Sequence, residues 1–179
     1  MAQVRIAVTG PPACGKTTLV RRVAERLKAR YRVGGFYTEE IRAGGKRVGF
    51  ALVDLATGER GTLARTDRGS GPRVGRYRVC LRDLESIGLK ALKAALGQAD
   101  MILVDEIAPM ELSSPRFAEA VQELLHSSKP LLFAIHRRAR GPLLEKIRRT
   151  FRIFEVTPEN RDGLVDILCS LLTQGASGG

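Results

Sequence analysis

Apolar residues follow two periods along this chain, and each change of period marks the edge of an element. Val4-Arg5-Ile6-Ala7-Val8 is a short apolar run that reads as a buried strand, and Leu19, Val20, Val23, Ala24 and Leu27 then recur at helical spacing. Residues 35–42 read as a strand, Gly44-Gly45 as a hairpin turn, and Lys46 to Asp54 as the return strand with Val48, Phe50 and Leu52 on one face. Thr57-Gly58 marks another turn, Arg60 to Arg65 a short strand, and Thr66 to Pro72 a polar loop. Val74 to Leu81 alternates as one strand, with Tyr77, Val79 and Leu81 on one side and arginines on the other. Residues 35–82 therefore read as an antiparallel, β-rich insertion.

Helical spacing returns at Leu84, Ile87, Ala91, Leu92, Ala95 and Leu96, with Asp83 as the expected cap and Gly97 as the stop. Met101 to Val104 and Leu131 to Ile135 are continuous apolar runs, as expected of parallel strands covered on both faces. Between them Ser114-Pro115 caps a helix whose buried stripe is Phe117, Val121, Leu124 and Leu125. A helix over 141–150, a strand over 153–156 and a helix opened by Thr157-Pro158 and carrying Leu164, Ile167, Leu168 and Leu171 complete the pattern. Alternating strands and helices predict an α/β fold of three layers around a parallel core sheet, as one domain over 1–173. Residues 174–179 are expected to form a disordered tail.

Composition agrees with a single soluble domain: 179 residues, of which 44% are hydrophobic and 27% charged. No apolar run approaches the roughly 18 residues of a membrane span, and no leader pattern precedes Val4, so no membrane and a cytoplasmic monomer are expected. The net charge of +11 is the unusual feature, because a cationic surface attracts polyanions. Only 5% of residues are aromatic, which argues against a base-stacking platform and leaves a solvated basic surface as the expectation, with non-specific nucleic-acid affinity as the competing reading. Cys14, Cys80 and Cys169 lack CxxC spacing, so reduced thiols are expected. Cys14 reads either as a thiol activated at a helix start or as a small filler.

The chemistry centres on Gly10-Pro11-Pro12-Ala13-Cys14-Gly15-Lys16-Thr17-Thr18, a complete P-loop between the first strand and the first helix. Glycines at 10 and 15 let the backbone curl into a nest of N–H donors around a phosphate chain. Lys16 can reach β- and γ-phosphate oxygens, the Thr17 hydroxyl can join a Mg2+ shell, and Thr18 begins the helix where an α-phosphate would rest. Downstream, Asp105-Glu106 ends a buried strand. Asp105 can hold Mg2+ through water opposite Thr17, and Glu106 can orient or deprotonate a water for attack on the γ-phosphate. The competing reading of Glu106 is a solvent-facing charge. Leu131 to Ile135 is the expected strand between the loop strand and the acid strand, which would bring His136 toward the γ-phosphate or leave it as an exposed loop histidine. Glu39 and Glu111 read as orienting groups or rim charges, and Arg137, Arg138 and Arg161 as sources of positive charge.

Taken in order, Gly10 to Leu19, Gly35-Phe-Tyr-Thr-Glu-Glu-Ile-Arg42, Val48-Gly-Phe50, Val74-Gly-Arg-Tyr77, Asp105-Glu-Ile-Ala-Pro-Met-Glu-Leu112 and Glu159-Asn-Arg161 resemble the thermophilic-type nucleoside-triphosphatase family, whose animal members are the cancer-related nucleoside-triphosphatases. The resemblance covers nearly the whole chain. It implies a P-loop NTPase fold of the RecA-like, additional-strand type that hydrolyses ATP, GTP and other nucleoside triphosphates with Mg2+ and weak base selectivity. By position, Lys16 and Thr17 would bind phosphate and metal, Asp105 metal, and Glu106 would act as base. The family commonly has glycine at the position of Ala108, and often Gly-Val at Ala13-Cys14; alanine suits the loop if its φ stays negative, and Ala108 would stiffen the turn toward Glu111. A small nucleoside, nucleotide or polynucleotide kinase and an RNA-associated switch module are the alternative readings.

Overall fold

The computed structural model describes residues 3–176. Nine strands form one sheet: β1 (Arg5–Thr9), β2 (Val33–Ala43), β3 (Lys46–Asp54), β4 (Arg60–Arg65), β5 (Arg73–Val74), β6 (Tyr77–Val79), β7 (Met101–Ile107), β8 (Leu131–Ile135) and β9 (Arg152–Glu155). Their spatial order is β5-β6-β4-β3-β2-β7-β8-β1-β9. β2, β7, β8, β1 and β9 pair in parallel, and β8 lies between the P-loop strand and the acid strand as expected.

The antiparallel, β-rich stretch expected over 35–82 is present and extends this sheet beyond β2. β2 belongs to the parallel core at Val33–Phe36, where it runs beside β7, and its outer length pairs with β3. The Gly44-Gly45 turn has φ of 57° and 76°, the positive values that a tight hairpin of this hand requires.

Helices cover both faces. α1 (Lys16–Leu27) and α7 (Arg161–Ala176) enclose one cluster, which includes Val20, Val23, Leu164 and Leu168. The opposite face is covered by α2 (Leu81–Asp83), a π-helical stretch at Leu84–Leu89, α3 (Lys90–Gln98), the short α4 (Pro109–Leu112), α5 (Pro115–His126) and α6 (Pro142–Thr150). There Phe36 meets Phe117 edge-on at 5.8 Å and Phe133 stacks on Phe151 at 5.1 Å. The Ser114 side chain accepts from the Phe117 amide at 3.2 Å, the expected cap. Among the described residues no helix is long and apolar enough to cross a membrane.

Several expected boundaries move for identifiable reasons. Val74 to Leu81 is a hairpin, because Gly75 turns the chain at φ 58°, and Leu81 already begins a helix. Asp83 does not cap that helix. Its Oδ2 accepts from the Thr62 amide at 2.7 Å and ties the helix to β4. Thr157-Pro158 precedes the last helix instead of opening it. The Asn160 Oδ1 accepts from the Thr157 amide at 2.8 Å, the Thr157 Oγ1 accepts from the Asn160 amide at 3.1 Å, and the helix starts at Arg161. α7 continues to Ala176, so residues 174–176 are helix and not tail; residues 177–179 lie outside the described residues.

Candidate active site

The C-terminal ends of β1, β7 and β8 and the start of α1 border a cavity of about 970 Å³. Every residue from Gly10 to Thr18 lines it, together with Asp105, Glu106, Glu111, His136, Arg137, Arg138 and Arg161. Tertiary structure thus gathers the whole set of candidate residues in one place.

Backbone geometry makes the loop. A Cβ at Gly10 would lie 2.7 Å from both the Cys14 Sγ and the Val156 carbonyl oxygen, so only glycine passes between them. Gly15 has φ 103°, and a side chain there would meet the Arg161 side chain at 2.4 Å. Arg161 therefore lies across the loop, and its buried Nε has no hydrogen-bond partner. Gly15 is the N-cap of α1 and offers no side-chain cap, and the first turn has no acidic residue, which leaves its N–H groups and positive dipole end for an anion. Cys14 is buried in the core beside α1, where it fills a small space next to Gly10. Ala13 departs from expectation: its φ is +61°, in the left-handed region, and the loop holds it there where a glycine would be unstrained.

The charged centre is compact. Lys16 Nζ donates to the Gly10 carbonyl at 3.1 Å and stands 3.3 Å from Glu106 Oε2. Glu106 is therefore part of the site and not a solvent-facing charge. Asp105 is 1% exposed, and burial, reinforced by the neighbouring Glu106 charge, pushes its carboxyl up to about 7. A hydrogen bond from Thr17, the Thr38 amide and the Lys16 charge oppose that rise. Thr38 approaches Asp105 Oδ2 with both its amide and its hydroxyl, each at 3.5 Å.

Glu111 lies in the same wall and is no rim charge. It is 3% exposed, burial and then the Glu106 charge raise its carboxyl well above the ordinary range, and its Oε2 has no partner. Glu39 is the rim charge, paired with Arg60 and with Arg21 at 3.5 Å. The His136 Nδ1 accepts from the Arg138 and Ala139 amides at 3.1 and 2.9 Å, so Nδ1 is the ring's acceptor and Nε2 its donor. Arg137 is held by Glu155 at 3.4 Å. Ala108 is extended at φ −146°, a conformation open to any residue, so glycine is not needed there.

Thr17 and Asp105 are the pair that could hold a divalent cation. Among the described residues no group of three or more His, Cys, Asp or Glu is gathered that could hold one unaided, so the remaining ligands would have to be phosphate oxygens and water. The raised carboxyl of a fully buried Asp105 fits that role, since an adjacent cation would relieve its desolvation. Thr38 beside Asp105 was not legible as a site residue, nor were Arg47, Phe50, Val74 and Tyr77 as lining of the same cavity. Their only sequence signal is membership in the Gly-Phe-Tyr-Thr-Glu-Glu, Val-Gly-Phe and Val-Gly-Arg-Tyr runs.

The sequence profile of a family described as NTPase matches residues 5–169. The chain is 47% identical over 163 residues to the nucleoside-triphosphatase THEP1 of Methanosarcina barkeri, covering 90% of this chain and 92% of that one. It is 44% identical over 171 residues to the THEP1 of Thermotoga maritima, covering 94% and 95%. The crystal structure of THEP1 from the hyperthermophile Aquifex aeolicus superposes with a TM-score of 0.85 at 34% identity, over 94% of this chain and 99% of that one. The solution structure of a human cancer-related nucleoside triphosphatase does so at 0.78 and 38%, over 95% and 98%. With a P-loop, a buried Asp105 next to Glu106 on the strand beyond β8 and likeness along nearly its full length, the chain belongs to the NTPase family that contains the THEP1 nucleoside-triphosphatases.

Proposed function

We propose that this protein is a Mg2+-dependent nucleoside-triphosphatase that cleaves the terminal phosphate of ATP, GTP and other nucleoside triphosphates to diphosphate and phosphate, with little base selectivity. The observation that carries the reading is the contact between Lys16 and Glu106, at 3.3 Å, beside the buried Asp105. A triphosphate entering the loop offers Lys16 stronger anionic partners than Glu106. The lysine turns to the phosphate oxygens, and Glu106 is left as a free carboxylate one residue from the metal aspartate, able to take a proton from an attacking water.

Thr17 and Asp105 would hold Mg2+, which when bound neutralises phosphate charge and orients the phosphate oxygens. Arg161, lying over Gly15, adds positive charge at the loop. The broad base range rests on the relatives' names, which specify a nucleoside triphosphate and no base. The net charge of +11 supports a weak, non-specific affinity for nucleic acid alongside this activity.

The test is Mg2+-dependent release of labelled phosphate from γ-labelled ATP and GTP. Glu106→Gln should bind nucleotide and turn over at least 100-fold more slowly, while Lys16→Ala should lose nucleotide binding. Turnover by Glu106→Gln at the wild-type rate would assign the base elsewhere.

A further inference from the structure

The cavity continues past the acids into a chamber that hydrolysis by water does not require. Its direction follows from α1. Residues four apart share a helix face, so Thr18 lies on the face of Arg22, which pairs with Asp162 of α7 at 2.6 Å. Thr17 lies on the face of Arg21, whose guanidinium sits 4.7 Å above the Tyr37 ring of β2. A triphosphate whose last two phosphates meet Lys16 and Thr17 therefore sends its nucleoside toward α7 and turns its terminal phosphorus toward β2. Beyond β2 the cavity runs on between α4 and the antiparallel strands.

This part of the wall has a definite chemistry. Phe50 on β3 and Tyr77 on β6 place their ring centroids 5.3 Å apart, and Leu63 and Val74 extend the apolar surface. Arg47 lies 5.1 Å over the Phe50 ring, donates from Nε to the Tyr77 hydroxyl at 3.0 Å and reaches Glu40 Oε1 at 3.3 Å. Glu111 contributes a buried carboxyl oxygen without a partner. An attacking water needs no aromatic wall. The whole cavity, about 970 Å³, stands at the upper end of the roughly 300–1,000 Å³ that encloses one ligand. A flat π-face would find Phe50 and Tyr77, and ring heteroatoms and hydroxyls would find Arg47, Glu40 and Glu111.

We propose that the chamber bounded by Phe50, Val74, Tyr77, Arg47 and Glu111 binds a second molecule of the nucleoside class, whose hydroxyl accepts the terminal phosphoryl group. The inference rests on the triphosphatase reading for the placement of the first nucleotide and for Glu106. In the transfer, the acceptor hydroxyl gives its proton to the Glu106 carboxylate and its oxygen forms a bond to the terminal phosphorus. The bond from that phosphorus to the bridging oxygen breaks, and the diphosphate leaves with the electron pair. Water takes the acceptor's place when the chamber holds no such molecule.

The experiment follows label from γ-labelled ATP with Mg2+, without an acceptor and with millimolar adenosine, guanosine, cytidine or uridine. Saturation-transfer NMR on the nucleoside ring protons is run in parallel. Wild type should move label onto at least one nucleoside and show saturation transfer to it. Phe50→Ala and the chamber-filling Val74→Phe should lower that labelling at least tenfold while acceptor-free phosphate release stays within twofold, which also shows that each variant is folded. Phosphate release without labelling of any of the four nucleosides overturns the inference and leaves the triphosphatase reading intact, even where a nucleoside binds. A parallel fall of labelling and acceptor-free release in both variants likewise overturns it. Labelled nucleoside with no acceptor-free release supports the inference and overturns hydrolysis as the activity.

Discussion

Ala13 is the residue whose backbone is at odds with its side chain. At φ +61° an L-residue costs about 1–2 kcal/mol relative to glycine, and glycine returns about 0.5–1 kcal/mol of that through its freer unfolded chain. Ala13→Gly should therefore stabilise the protein by about 1 kcal/mol or less, raising Tm by at most about 2–4 °C in a thermal melt. Asp105 makes a second residue-scale prediction. Its carboxyl is raised from the ordinary 3.8 to about 7, so between those values the folded chain binds more protons than the unfolded one. Stability of the metal-free protein accordingly falls as pH rises through that window, by on the order of 4 kcal/mol, and the loss is complete above pH 7. Urea unfolding at pH 5 and pH 8 should show about 2–3 kcal/mol of this fall in wild type and less in Asp105→Asn, since all other carboxyls are common to both. Mg2+ with nucleotide should recover stability at pH 8.

At the scale of elements, the contact between α1 and α7 separates two kinds of force. Arg22 pairs with Asp162 and Arg26 with Asp166, yet these side chains are 50–77% exposed, and such pairs are each worth at most about 1 kcal/mol. Leu168 beneath them is 0% exposed in the shared core, where truncation to alanine costs about 2–5 kcal/mol. Denaturant midpoints should fall far more for Leu168→Ala than for the Asp162→Ala/Asp166→Ala pair, and only the latter loss should vanish in high salt. The pairing of β2 with β7 depends on Gly35, whose added Cβ would lie 1.8 Å from the Leu103 carbonyl oxygen at φ 106°. Gly35→Ala should cost more than about 3 kcal/mol, read as loss of soluble folded protein, because β2 must part from the strand that carries Asp105.

Across the whole molecule, a net charge of +11 acts on any polyanion that approaches. Screening shortens the reach of that field to about 10 Å at 0.1 M salt. KM for ATP should therefore rise several-fold between 50 and 300 mM NaCl while kcat changes less than twofold, since the buried centre is little screened. The antiparallel strands give the molecule its asymmetry. They extend the sheet beyond β2 and wall one side of the cavity, whereas Arg161 at the start of α7 lies against Gly15 of the loop.

The sequence by itself determined the strand-loop-helix of the P-loop, the buried acid strand, the intervening strand and the Gly44-Gly45 hairpin, because each is encoded by a local period or a turn residue. It also singled out Lys16, Thr17, Asp105 and Glu106, each by its place within a single motif, and the fold brings the four to one cavity. Only the tertiary structure decided the fate of groups whose role depends on what lies opposite them. Glu39 and Glu111 are both acids that line the cavity, yet one meets Arg60 and Arg21 while the other is buried without a partner for Oε2. Thr38 reaches Asp105 because Val33–Phe36 pairs with Met101–Val104, a register invisible along the chain. Left-handed backbone at Ala13 was likewise imposed by the closure of the loop and not by the residue's own preference, and Phe50, Val74 and Tyr77, distant in sequence, share a wall through sheet pairing.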